Sequence, residues 1–240
     1  MLKIKSTFYI LIFILLNFNL LCLADNITTD RPDQSEGSYV VPKNALQIEN
    51  GITIADEVLQ NNFLMRYGVT NSTELRFLAD VGKFGIVKGL TPITLGMKQR
   101  LFNQTEILPE ITFVGYITLN NVAFNNQKNF NFTPIPFEVK LALNKDLSDK
   151  FSMLFNIATT NGFNNYNLTL SSGYTLTDKF TAFFEIFSNV SKDISNYNFD
   201  LGVLYLITPK LQIDLALAKS FTSDEDLLYT TFGIAYVFND

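Results

Sequence analysis

From residue 180 to residue 238, apolar and polar positions alternate with a period of two. Phe180, Ala182, Phe184 and Ile186 fall on one side and Thr181, Phe183 and Glu185 on the other; Phe199, Leu201, Val203, Tyr205 and Ile207 oppose Asn198, Asp200 and Gly202. The pattern returns in Leu211, Ile213, Leu215 and Leu217 against Gln212, Asp214 and Ala216, and in Phe232, Ile234, Tyr236 and Phe238 against Thr231, Gly233 and Ala235. Successive side chains of a strand point to opposite faces, so each segment reads as a strand with one apolar side and one small or polar side. The apolar side is either the core of a soluble sheet protein or the lipid-facing wall of a barrel whose polar side lines a lumen.

Turn signals set the strand count. Leu147-Ser148-Asp149-Lys150-Phe151, Leu176-Thr177-Asp178-Lys179-Phe180 and Ile207-Thr208-Pro209-Lys210-Leu211 share the order apolar, hydroxyl, turn-former, lysine, apolar. Val69-Thr70-Asn71-Ser72-Thr73 resembles them, and Phe102-Asn103-Gln104-Thr105 falls where a fifth is due. Side chains of this kind bond the backbone of a tight reversal. Polar, Asn-rich stretches at 55–62, 82–89, 120–131, 159–165, 188–196 and 219–226 are expected as the longer loops. Together they predict strands near 44–54, 62–70, 73–82, 91–102, 109–119, 134–144, 150–158, 166–176, 179–188, 197–207, 210–219 and 228–238. Short turns at one end and long loops at the other mark outer-membrane barrels, where the short turns and both chain ends face the periplasm. The expected fold class is all-β: a transmembrane antiparallel up-and-down β-barrel of about 12 strands.

The beginning of the chain supports export. Lys3 and Lys5 give a basic start, Phe8 to Leu21 is nearly continuous apolar sequence, and Cys22-Leu23-Ala24 offers small residues ahead of Asp25. The apolar run is shorter than the roughly 20 residues that a spanning helix needs. Residues 1–24 are therefore expected to be a signal peptide, 25–43 a periplasmic lead-in or plug segment, and 44–240 an outer-membrane β-barrel. Cleavage would remove the only cysteine, which excludes a disulfide framework or a cysteine metal site in what remains. With 23 acidic against 18 basic side chains the chain lacks the basic footprint of a nucleic-acid binder. The expected location is the outer membrane of a Gram-negative bacterium. Membrane lipid, lipopolysaccharide and the barrel-assembly machinery are the expected partners, together with a small solute that the sequence does not name.

The chain has no histidine, which removes the usual general base and the commonest metal ligand. It also lacks a Gly-rich phosphate loop and a metal motif, so no catalytic residue, metal or cofactor is expected and the chain does not read as an enzyme. The charged residues that matter are those on the predicted lumen face: Glu49, Arg66, Glu74, Arg76, Lys98, Arg100, Glu110, Glu138, Lys140, Asp200 and Asp214, with Gln47, Asp80 and Glu185 beside them. Mixed signs on one face can pair, as buried charge requires. They are expected either to fill a narrow lumen with salt bridges or to form a constriction that selects solutes.

Thr29-Asp30-Arg31-Pro32-Asp33-Gln34-Ser35-Glu36 is too polar for a lipid-facing strand. Asp30, Arg31, Asp33 and Glu36 are therefore expected to fold back into the barrel mouth, with Arg31 pairing with Glu49 or Glu110. This octapeptide, the following Val41-Pro42-Lys43-Asn44-Ala45-Leu46-Gln47-Ile48-Glu49, Arg66-Tyr67-Gly68, Glu74-Leu75-Arg76, Pro109-Glu110-Ile111 and Leu211-Gln212-Ile213-Asp214 resemble the MetA-pathway phenol-degradation family of outer-membrane transporter-like barrels. The resemblance covers the chain beyond the leader. It implies an outer-membrane transporter for aromatic or other hydrophobic compounds. Three functions remain in view: a channel or transporter for small solutes, a non-conducting structural or adhesive barrel, and a soluble secreted barrel with a ligand cavity. A barrel of about twelve strands is narrower than an open porin, which favours a channel with a constricted or plugged lumen.

Overall fold

A computed structural model describes residues 26–32, 34–119, 124–125, 137–160, 162–192, 195–221 and 228–239; the expected signal peptide lies outside the described residues. The alternating segments form a closed antiparallel wall of twelve strands. In chain order they are β1 (Leu46–Ala55), β2 (Val58–Thr70), β3 (Thr73–Phe84), a short β4 (Val87–Leu90) continued by β5 (Ile93–Phe102), β6 (Glu110–Leu119), a two-residue β7 (Phe124–Asn125), β8 (Phe137–Asp146), β9 (Phe151–Thr160), β10 (Asn165–Thr177), β11 (Phe180–Ser191), β12 (Ser195–Thr208), β13 (Leu211–Ser220) and β14 (Leu228–Phe238). β4 and β7 pair with each other and extend the wall at the loop end. Each remaining strand pairs with its chain neighbours, and β1 pairs with β14, so the wall has no open edge. Closure gives every wall strand two backbone partners, which lipid would otherwise leave unsatisfied.

Burial is inverted relative to a soluble protein. Large apolar side chains such as Leu201, Leu215, Phe232 and Ile234 stand exposed on the outside, while Glu49, Arg66, Glu74, Lys98 and Glu185 are 0% exposed on the inside. The period of two is the cause: one residue outward, the next inward, along every strand. An apolar girdle around a charged interior is a surface built for a bilayer.

The short turns at Asn71-Ser72, Asp178-Lys179 and Pro209-Lys210 fall as the sequence predicts. Other connections differ. The expected loop at 55–62 is a hairpin closed by Asp56 and Glu57, the latter with φ 55°, and the one at 82–89 closes on Gly85 and Ile86. The strands run on through polar sequence because, past the lipid, neither face needs apolar side chains and the alternation fades. The reverse holds at 103–109, which is wider than the expected turn. The expected loop at 120–131 lies largely outside the described residues, as does most of 219–226.

Candidate functional site in the barrel lumen

Three cations share the centre of the inner wall. Arg66 and Arg76 are direct partners across β2 and β3, and Lys98 is on β5. Like charges directly opposite repel, and here all three groups are buried. Two wall carboxylates answer them. Glu49 lies 2.9 Å from Arg66, and Glu74 lies 2.8 Å from Arg66 and 3.3 Å from Arg76. The third carboxylate comes from outside the wall. Asp30 lies 2.7 Å from Arg76, 2.9 Å from Lys98 and 3.5 Å from Arg66. Its backbone N–H donates to Glu49, and its side chain accepts the N–H of Gly37. Asp30 is thus the carboxylate that contacts all three cations, and among the described residues it is the ion-pair partner of Lys98.

The rest of the N-terminal segment is bound in the same way. Glu36 lies 2.8 Å from Lys140 and 3.2 Å from Arg76, and Lys140 also reaches Glu138 at 3.5 Å. The N–H of Glu36 donates to Asn156. Gln34 and Ser35 donate their backbone N–H groups to Glu185, and the Ser35 hydroxyl also bonds that carboxylate. Ser38 donates to Glu110, which pairs with Arg100 at 3.3 Å. The N–H of Val41 donates to Glu74. At the turn end, Ile27, Val41 and Ala45 pack with Ala235 and Val237 in a small apolar cluster. These contacts run round the wall from β1 to β14 and hold the segment across the lumen.

Arg31 does not pair with Glu49 or Glu110. It lies 3.3 Å from Asp214 and donates to Thr231 at 2.8 Å. Glu49 and Glu110 are already engaged by Arg66 and Arg100. Room for the guanidinium comes from Gly51 and Gly233, which are paired across β1 and β14. A Cβ on Gly51 would stand 2.0 Å from the Arg31 guanidinium carbon, and one on Gly233 would stand 2.4 Å from its Nε. Asp200 is the least compensated of the inward carboxylates. It is 1% exposed, neither of its oxygens has a hydrogen-bond partner among the described residues, and it faces Glu185 across β11 and β12. Asp33 lies outside the described residues.

Asp30 and Glu36, both off the wall strands, have carboxyls shifted in one direction. Burial alone would raise Asp30, but Arg66, Lys98 and Arg76 outweigh it and hold the group well below the ordinary carboxylate range. Burial likewise opposes Glu36, yet Lys140, Arg76 and Lys98 bring it from 4.5 down to about 2. Both are ionised at neutral pH, as the pairing requires.

The alternation identifies the inward charges and Thr231 but not Ser35, Ser38 and Asn156, whose hydroxyl and amide groups complete the segment's attachment. Polar residues of this kind are ordinary on any lumen face. Gly51 and Gly233 carry a clearer signal, since both are inward positions without a side chain. On the loop side of the segment a cavity of about 630 Å³ remains, with Asp30, Arg31, Pro32 and Glu36 in its floor.

A closed twelve-stranded wall, apolar outside and charged inside, defines an outer-membrane-type β-barrel of porin fold. The family model described as "Putative MetA-pathway of phenol degradation" matches residues 29–238, and the chain belongs to that family. Among solved structures, a KdgM porin in complex with disordered oligogalacturonate shares 11% identity at a TM-score of 0.61, covering 80% of this chain and 99% of its own. A NanC porin shares 7% at 0.55, covering 81% and 99%. The CymD monoaromatic hydrocarbon channel shares 9% at 0.50, covering 83% and 89%. At these identities the likeness is one of fold. No curated protein matches the chain in sequence.

Proposed function

We propose that this protein is a passive outer-membrane channel of a Gram-negative bacterium, closed at rest by its own N-terminal segment, that admits small hydrophobic or aromatic solutes. The observation that carries the reading is the contact of Asp30 with all three buried cations. A wall that needs a carboxylate from a separate segment to balance Arg66, Arg76 and Lys98 is a wall built to receive that segment. A purely structural barrel could balance those cations within its own strands. The remaining cavity leads from the loop end down to the segment, giving a solute a place to wait above the obstruction. The family description and the fold shared with a monoaromatic hydrocarbon channel support the solute class. In this reading the barrel sits in lipid and lipopolysaccharide with its short turns in the periplasm, reaches the membrane through an export signal and the barrel-assembly machinery, and carries out no catalysis.

Planar-bilayer conductance tests it. The native protein should conduct weakly or intermittently, and deletion of Asp30–Glu36 should raise single-channel conductance in a barrel that still shows heat-modifiable mobility. A correctly inserted deletion variant with native conductance would remove the plug from the reading. Absence of conductance in both would leave the non-conducting structural barrel.

A further inference from the structure

Above the ion-pair floor, the inward faces of β2 and β3 change character in two steps. Leu64 and Leu78 are direct cross-strand partners two residues beyond the Arg66–Arg76 pair, the next inward position, and Asn62 and Asp80 are partners two residues beyond those. All four line the cavity. An apolar step therefore lies immediately beneath a carboxylate. Phe187 and Tyr229 line the same cavity.

The carboxylate is held differently from those in the floor. Asp80 faces Asn62 across β2 and β3, and Gln60 lines the cavity beside them. The Arg31 guanidinium, which lines the same cavity, is bound to Asp214 and Thr231. The two arginines lining the cavity, Arg31 and Arg76, are thus matched by carboxylates in the floor. Asp80 sits beside those amides, lines the cavity, and forms no ion pair with a cation among the described residues. Amides orient a carboxylate without neutralising it, and an ionised group beside an apolar surface favours a positive partner over a negative one. Aromatic rings in the same cavity add attraction for a cation and surface for an apolar body.

We propose that the cavity is a binding site for small amphiphilic organic cations, such as an aromatic or aliphatic ammonium, with the charged group at Asp80 and the apolar body against Leu64 and Leu78. The inference rests on the channel reading for the role of the site and names its solute class more narrowly. Three probes of similar size and different charge test it on the full-length protein in detergent micelles: benzylammonium, benzyl alcohol and benzoate, each titrated calorimetrically. Benzylammonium should bind at least about tenfold more tightly than benzyl alcohol, the factor a charge-assisted hydrogen bond supplies, and benzoate should bind most weakly. Asp80→Asn should bring benzylammonium down to the level of benzyl alcohol, and Leu64→Asn should weaken both. Equal affinities for the three probes, a preference for benzoate, or no binding of benzylammonium to the native protein would overturn the proposal without recourse to a variant. Conductance recorded on the same preparation separates the two readings. A cation preference in a barrel that never conducts removes the channel and keeps the site, whereas conductance without the preference removes the site and keeps the channel.

Discussion

Gly51 and Gly233 face each other across the seam between β1 and β14, and the Arg31 guanidinium lies over both. Any side chain at either position would occupy the space the guanidinium fills. The seam that closes the barrel is therefore also the seat of the segment that crosses it.

Gly233→Val should unseat Arg31 at a cost of about 1–3 kcal/mol to the segment's attachment, the range for overfilling a packed site. The wall should stay closed, because strand pairing does not depend on that side chain. Hydrogen exchange should become faster at the Gln34 and Ser35 amides and stay unchanged in β1 and β14. Unchanged exchange in the segment would show that the glycine pair is not needed to seat Arg31.

Asp30→Asn removes the carboxylate that balances Arg66, Arg76 and Lys98. Breaking a buried ion pair by deleting one partner costs roughly 3–5 kcal/mol. The variant should lose heat-modifiable mobility at a lower temperature than the native barrel and should open more often in single-channel records. Lys98→Met combined with Asp30→Asn should cost less than the two single changes added together, since the cation left unpaired by one is removed by the other.

Attachment of the segment should resist mild acid. Asp30 and Glu36 are held below their ordinary values in the docked state, so their contribution is fully present above about pH 4.5 and is lost as pH falls toward the docked value of about 2 for Glu36. Conductance should stay at its resting level at pH 6 and pH 5 and rise only below about pH 4. Opening between pH 6 and 5 would mean that groups other than these two control the segment.

The two faces should tolerate change differently. Leu215 faces outward and Ala216 inward. Leu215→Arg places a charge on the lipid face at a cost of roughly 2–4 kcal/mol and should lower the yield of folded barrel in lipid vesicles, whereas Ala216→Ser should refold like the native chain. Similar yields for both would reverse the assignment of faces.

Orientation can be read by labelling. Asn164→Cys, in the β9–β10 connection, should react with an impermeant maleimide on intact cells, and Asp178→Cys, in the β10–β11 turn, should react only after the outer membrane is opened. The opposite pattern would invert the barrel.

The wall was legible because a period of two survives wherever lipid and lumen act on alternate residues. Thr231, Gly233 and Ala235 against Phe232, Ile234 and Tyr236 needed no partner strand to be assigned. The hairpins at Asp56-Glu57 and Gly85-Ile86 were not legible, since strand beyond the lipid is polar on both faces and looks like loop. The charges of the site were legible for the same reason as the wall, but their pairing was not. Which carboxylate Arg31 meets depends on the path of residues 29–36 through the lumen, and the gap between Gly51 and Gly233 fixes that path from strands far apart in the sequence.

Arg31 draws its surroundings from the first strand and the last two: Gly51 on β1, Asp214 on β13, Thr231 and Gly233 on β14. Before those strands meet, no such seat exists. A chain whose ends have not met lacks the seat for Arg31, whereas the partners of Asp30 and Glu36 on β2, β3, β5 and β8 lie away from that seam. The position of Arg31 is thus a local signature of a closed seam, since its seat exists only where the first strand lies beside the last.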